Sequence, residues 1–210
     1  GVNGTIIFEN CTFKNTGAYS IHFDNGKGNV IFKNCELYGW NSFGSSLNTV
    51  KFYDSKLFGN GTYALIRSYV DLTLENCYID TTEANHEDAY SEGVEAISAT
   101  LTETNVNYVV SNAAALQEAI QAGKDVVLLN NLTISAPEML GAPYGNKTAL
   151  IHNGGVFNGN NKTISATIGG DNYAVMTKGG TITNLSIDNG FRGIAINIAL
   201  YPQRRNGSRR

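Results

Sequence analysis

Four short stretches of the chain align column for column, and they restrict its fold more than any other feature. They are IIFENCTF from Ile6, VIFKNCEL from Val30, VKFYDSKL from Val50 and LTLENCYI from Leu72. Asn10, Asn34, Asp54 and Asn76 share one column, and Cys11, Cys35, Ser55 and Cys77 share the next. A strand-bearing repeat of roughly 20 to 25 residues is the mark of a stacked, one-dimensional architecture. Within each copy apolar residues alternate, as in Ile6 and Phe8 or Val50 and Phe52, which is the period of a half-buried strand. Such a strand buries its apolar face only by lying in register on the next copy, about 4.8 Å away. The Asn column then predicts a ladder of side-chain amides at a turn, and the Cys/Ser column predicts small buried neighbours. Three cysteines in one column of parallel strands suit free thiols better than a disulfide.

The repeated F-x-N-C-x-F/L strand followed by a Gly-rich turn resembles the right-handed parallel β-helix of pectin-lyase-like domains, in the variety found in large secreted or surface proteins of gut bacteria. A second stretch, VSNAAALQEAIQAGKDVVL from Val110, is similar to the N-terminal cap of such domains. There Ser111 is a candidate N-cap, Leu116 and Ile120 lie one turn apart, and Gly123 is a stop. Gly154 to Ile164 (GGVFNGNNKTI) is similar to an early coil of the family. The expected class is therefore all-β, a right-handed parallel β-helix (solenoid) with one short cap-type α-helix near 112–122. Residues 1–79 are expected to be C-terminal-type coils, 80–106 an acidic polar linker or stack end, and 107–201 the capping helix with initial coils. Residues 202–210 form a basic tail of non-native appearance. Head follows tail in this order, so either two tandem stacks or one rearranged stack is expected.

Composition narrows the function. Glycine is abundant at 23 and proline scarce at 3, as frequent tight turns require. Net charge is −3 although four arginines sit in 204–210, and no Lys or Arg occurs between Ser68 and Gly123. That argues against a nucleic-acid partner. No apolar run is long enough for a membrane span. The acidic stretch lacks calcium-loop spacing and the cysteines lack nearby histidines, so no metal and no cofactor is expected. The N-x-D, D-D, G-H-G and R-x-K signatures that the resemblance implies for hydrolases are missing, and His22, His86 and His152 lie in unrelated contexts. No catalytic residue is therefore assigned, and a non-catalytic module is favoured over an enzyme.

The expected role is an extracellular or bacterial cell-surface module that binds a polysaccharide or cell-surface glycan, or a host surface, through aromatic side chains. The candidate contacts are Trp40, Phe43, Tyr19, His22, Tyr63 and Arg67, with Trp40 and Phe43 placed in an outward corner, GWNSFG. A polysaccharide lyase or glycoside hydrolase and an inert spacer or adhesin stalk are the alternatives. Exposed stack ends make end-to-end self-association an expected property.

Overall fold

The computed structural model describes residues 3–59, 64–82, 93–135, 139–140, 146–167, 170–189 and 192–196. Tyr63 and the tail 202–210 lie outside them.

The repeats become strands in chain order: β1 (Gly4–Glu9), β2 (Thr12–Phe23), β3 (Gly28–Lys33), β4 (Glu36–Phe43), β5 (Thr49–Tyr53), β6 (Lys56–Phe58), β7 (Ile66–Ser68), β8 (Asp71–Glu75), β9 (Tyr78–Asp80), β10 (Val94–Ala96), β11 (Leu101–Thr104) and β12 (Asn107–Val110). The one described helix, α1 (Ala113–Gln121), follows. Then come β13 (Asp125–Leu128), β14 (Leu132–Ile134), β15 (Met139–Leu140), β16 (Lys147–His152), β17 (Val156–Ala166), β18 (Tyr173–Thr177), β19 (Thr181–Asn189) and β20 (Arg192–Ile196). The described residues are all-β apart from that helix. Every described strand pairing is parallel except β15 with β16. One sheet runs β1-β3-β5-β8-β11, an eleven-stranded sheet centres on β4, β12 and β17, and a four-stranded sheet runs β15-β16-β18-β20. Parallel strands stacked in repeat order are compatible with a β-helix.

The Asn column makes the corners. Asn10, Asn34, Asp54, Asn76 and Asn105 have φ of 57, 48, 50, 54 and 51°, the left-handed region that Asn and Asp tolerate best after glycine. Each turns the chain from the five-stranded sheet into the next strand. The ladder forms with one polarity: Asn34 Nδ2 donates to Asn10 Oδ1 (2.7 Å), Asn76 Nδ2 to Asp54 Oδ1 (3.1 Å) and Asn105 Nδ2 to Asn76 Oδ1 (3.0 Å). Asp54 has no amide to donate to Asn34, so that rung is missing. The neighbouring cysteines are free, and burial raises the Cys77 thiol to about 11.

In-register pairing also builds the core. Phe8, Phe32 and Phe52 stack at 5.2 and 4.6 Å, and Leu74 continues the column. The next position is Glu103, on β11. LTETNVNY from Leu101 is thus a fifth copy of the repeat, with Val106 in the cysteine column and a carboxylate in the apolar one. Residues 94–104, inside the stretch expected to be linker or stack end, therefore supply two registered strands. Burial of Ala115, Leu116, Ala119 and Ile120 seats α1, and its cap is Asn112, whose side chain accepts from Ala115 N, instead of Ser111. Strand β12 pairs with β9 on one side and β13 on the other, so residues before and after α1 share one sheet.

Candidate functional site

Strands β2 and β4 each bend, and the bends carry the aromatic candidates. At Gly39 φ is +113°, beyond the reach of most side chains, and β4 turns there. Its first half pairs with β6 and its second half with β7. Buried Asn41 holds the bend: its Nδ2 donates to the carbonyls of Gly39 and Leu65, both at 3.0 Å. Past the bend, side chains alternate, so Trp40 and Phe43, an odd number apart, leave opposite faces. Phe43 is fully buried, packed against Phe23, Phe32 and Phe52. This corrects its expected outward placement. It is a core residue.

Trp40 stays outside the strand core, yet only 7% of its surface is exposed. The Tyr19 ring stacks on it at 4.3 Å and 19°. The Arg67 guanidinium lies 5.2 Å from the indole centroid. Since β2 and β7 flank β4 on opposite sides, these two groups take opposite faces of the indole. Tyr19 also stacks on His22 at 4.3 Å and 1°. Two coplanar rings do not fit on one phenol face at that distance, so His22 and Trp40 take its two faces. Arg67 Nε donates to Glu95 Oε2 at 2.9 Å, a bond that raises the arginine's pKa. The result is a five-member stack, His22–Tyr19–Trp40–Arg67–Glu95, running across β2, β4, β7 and β10. Glu95 was not a sequence candidate, because its partner Arg67 is 28 residues away and only the register joins them.

The stack ends beside an open cleft. Where β2, β4 and β7 finish, Asp24, Asn25, Gly44, Ser45 and Tyr69 line a space of about 310 Å³. Gly44 allows the turns to close up: a Cβ there would come within 2.6 Å of the Asp24 carbonyl oxygen, and Gly44 N donates to Phe23 O at 2.7 Å. Tyr69 is 44% exposed. His22 Nε2 lies 2.7 Å from Asp24 Oδ1, linking the stack to the cleft wall. The cleft thus offers an open aromatic ring, a carboxylate, an amide and a hydroxyl at one corner. Asp24, Asn25 and Ser45 carry no sequence signal of a site, because they look like ordinary turn residues.

A second polar locus lies where the five-stranded sheet ends. Glu103 accepts a short hydrogen bond from the Tyr108 hydroxyl and pairs with Lys124, whose pKa burial lowers. Together with Asn105, Val106, Ala122, Gly123 and Asp125, Glu103 and Lys124 line a space of about 370 Å³. The pair closes the apolar column that Glu103 interrupts. Among the described residues, no group of three or more metal-ligating side chains comes together. No described helix is long and apolar enough to cross a membrane.

Comparison with protein-family models, with curated proteins and with solved structures finds no match to this chain.

Proposed function

We propose that the chain is a right-handed parallel β-helix module of the pectin-lyase-like kind, extracellular or on a bacterial cell surface, that binds a polysaccharide or cell-surface glycan without cleaving it. The parallel strands stacked in repeat order and the Asn corners support the architecture. One observation carries the function: the corner cleft, where exposed Tyr69 stands with Asp24, Asn25 and Ser45. Such a set suits a sugar, with the ring face packing against C–H surface and the polar groups meeting hydroxyls. In this proposal Trp40 braces the turns from beneath, since both faces of its indole are occupied, and Tyr19, His22 and Arg67 hold the cleft wall through the stack.

Native electrophoresis through gels cast with a panel of acidic and neutral polysaccharides tests the proposal. The expected result is retardation of the parent with the polymer intact, and release by Tyr69→Ala. Equal migration in every gel would contradict binding and leave the spacer alternative. The enzyme alternative draws on the Glu103–Tyr108–Lys124 contact beside its own cavity. A cleared zone around the band, lost in Lys124→Met, would favour it.

End-to-end association of copies belongs to the same proposal. Two strands at sheet edges, β1 and β20, each expose a core-column residue: Ile6, 48% exposed, in register with Val30, and Ile194, 46% exposed, in register with Val175. A concentration-dependent sedimentation coefficient, reduced by Ile6→Lys, is expected.

A further inference from the structure

We infer that the corner cleft selects neutral polysaccharide chains over uronate- or sulfate-bearing ones, an inference that rests on the glycan-binding role proposed for that cleft. Among the described residues, the lining holds one charged group, Asp24, and no cation. A carboxylate only accepts hydrogen bonds, and its charge strengthens those it accepts. Sugar hydroxyls are donors and suit it. A uronate or sulfate ester is a second acceptor-only anion and would meet Asp24 with no cation among the described lining residues to offset the repulsion.

Among the described residues, the basic side chains nearest the cleft are committed to other partners or lie outside its lining. Arg67 lies over Trp40 and is bonded to Glu95 at 2.9 Å. His22 faces Asp24 itself, at 2.7 Å, and its ring is stacked on Tyr19. Lys27 is exposed two residues beyond Asn25 but is not part of the lining. The chain's formal charge of −3 adds a weaker repulsion of the same sign at long range.

The test measures retardation at low ionic strength in gels carrying a galactomannan, a xylan or a β-glucan, and in gels carrying polygalacturonate or a sulfated galactan. At least one neutral polymer is expected to bind roughly two- to fivefold more tightly than either acidic one, the range an exposed charge pair supplies. Added salt should shrink the difference. Asp24→Asn, which removes the charge but keeps an oxygen to face His22, should weaken the neutral complex and bring the acidic polymers closer to it, with a melting temperature near the parent's as the control for the fold. Tighter binding of polygalacturonate or the sulfated galactan, lost in Tyr69→Ala, would overturn the inference and leave the cleft as the glycan site. Binding of either class that survives Tyr69→Ala, or no binding at all, would overturn the cleft itself.

Discussion

Two of the aromatic stacks in the molecule, one inside the sheets and one outside, are held by different forces. The inner column, Phe8–Phe32–Phe52, is apolar throughout, and Phe32 and Phe52 are wholly removed from water. Hydrophobic burial and close packing hold it. The outer column mixes rings with ions: His22 and Tyr19 on one side of Trp40, Arg67 and Glu95 on the other. Register aligns both. The inner one needs only apolar residues at alternate positions, whereas the outer one needs a particular cation and a particular acid on successive turns. An aromatic residue on a repeat surface is therefore not by itself a ligand platform, because its faces can be filled by its own neighbours.

The sharpest way to break this comparison is truncation of each column. Phe52→Ala removes a ring stacked on Phe32 and set edge-on to Phe43, and should cost about 4 kcal/mol in chemical denaturation. Trp40→Ala should cost about 3 kcal/mol, because the indole is nearly as buried and both its faces are packed. A value within about 0.5 kcal/mol of the parent, usual for a surface site, would mean that the outer stack holds nothing together.

The Asn ladder offers a gain instead of a loss. Asp54→Asn keeps the left-handed corner and the bond accepted from Asn76, and adds the missing donor toward Asn34. It should stabilise the protein by about 1 kcal/mol. No gain, or a loss, would show that the ladder is not cooperative across that rung.

The smallest expected effect concerns pH in the second half of the chain. His152 is buried, with Nδ1 at 3.0 Å from Thr177 Oγ1, and desolvation pushes its pKa below the ordinary 6.5. The unfolded chain therefore takes the proton first as pH falls. Stability that is complete above about 6.5 should decline as pH drops through the folded-state value. Melting temperature between pH 7.5 and 5 should show this slope, and His152→Gln should flatten it.

Much of the fold was legible in the sequence. Alternation gave away the core strands, and the Asn/Asp column showed where the corners lie, because left-handed backbone selects those residues. The fifth repeat was hidden by two substitutions in its key columns, Val106 for cysteine and Glu103 for an apolar residue, although Asn105 kept the corner signal. The site was less legible. GWNSFG looks like a turn by composition, yet Gly39 to Phe43 form the second half of β4 past its bend, where alternation sends Trp40 outward and Phe43 inward. Arg67 with Glu95, and Tyr19 with Trp40, meet only through pairing register across loops of unequal length, which a single sequence does not reveal.

One paired experiment tests most directly whether brace and binding site are separate: melting temperature and polysaccharide retardation measured on Trp40→Ala and Tyr69→Ala together. Trp40→Ala should melt well below the parent, while Tyr69→Ala should melt near it and lose retardation. A Tyr69→Ala protein retarded like the parent, beside a stable Trp40→Ala protein that migrates freely, would contradict this and return the binding site to the indole.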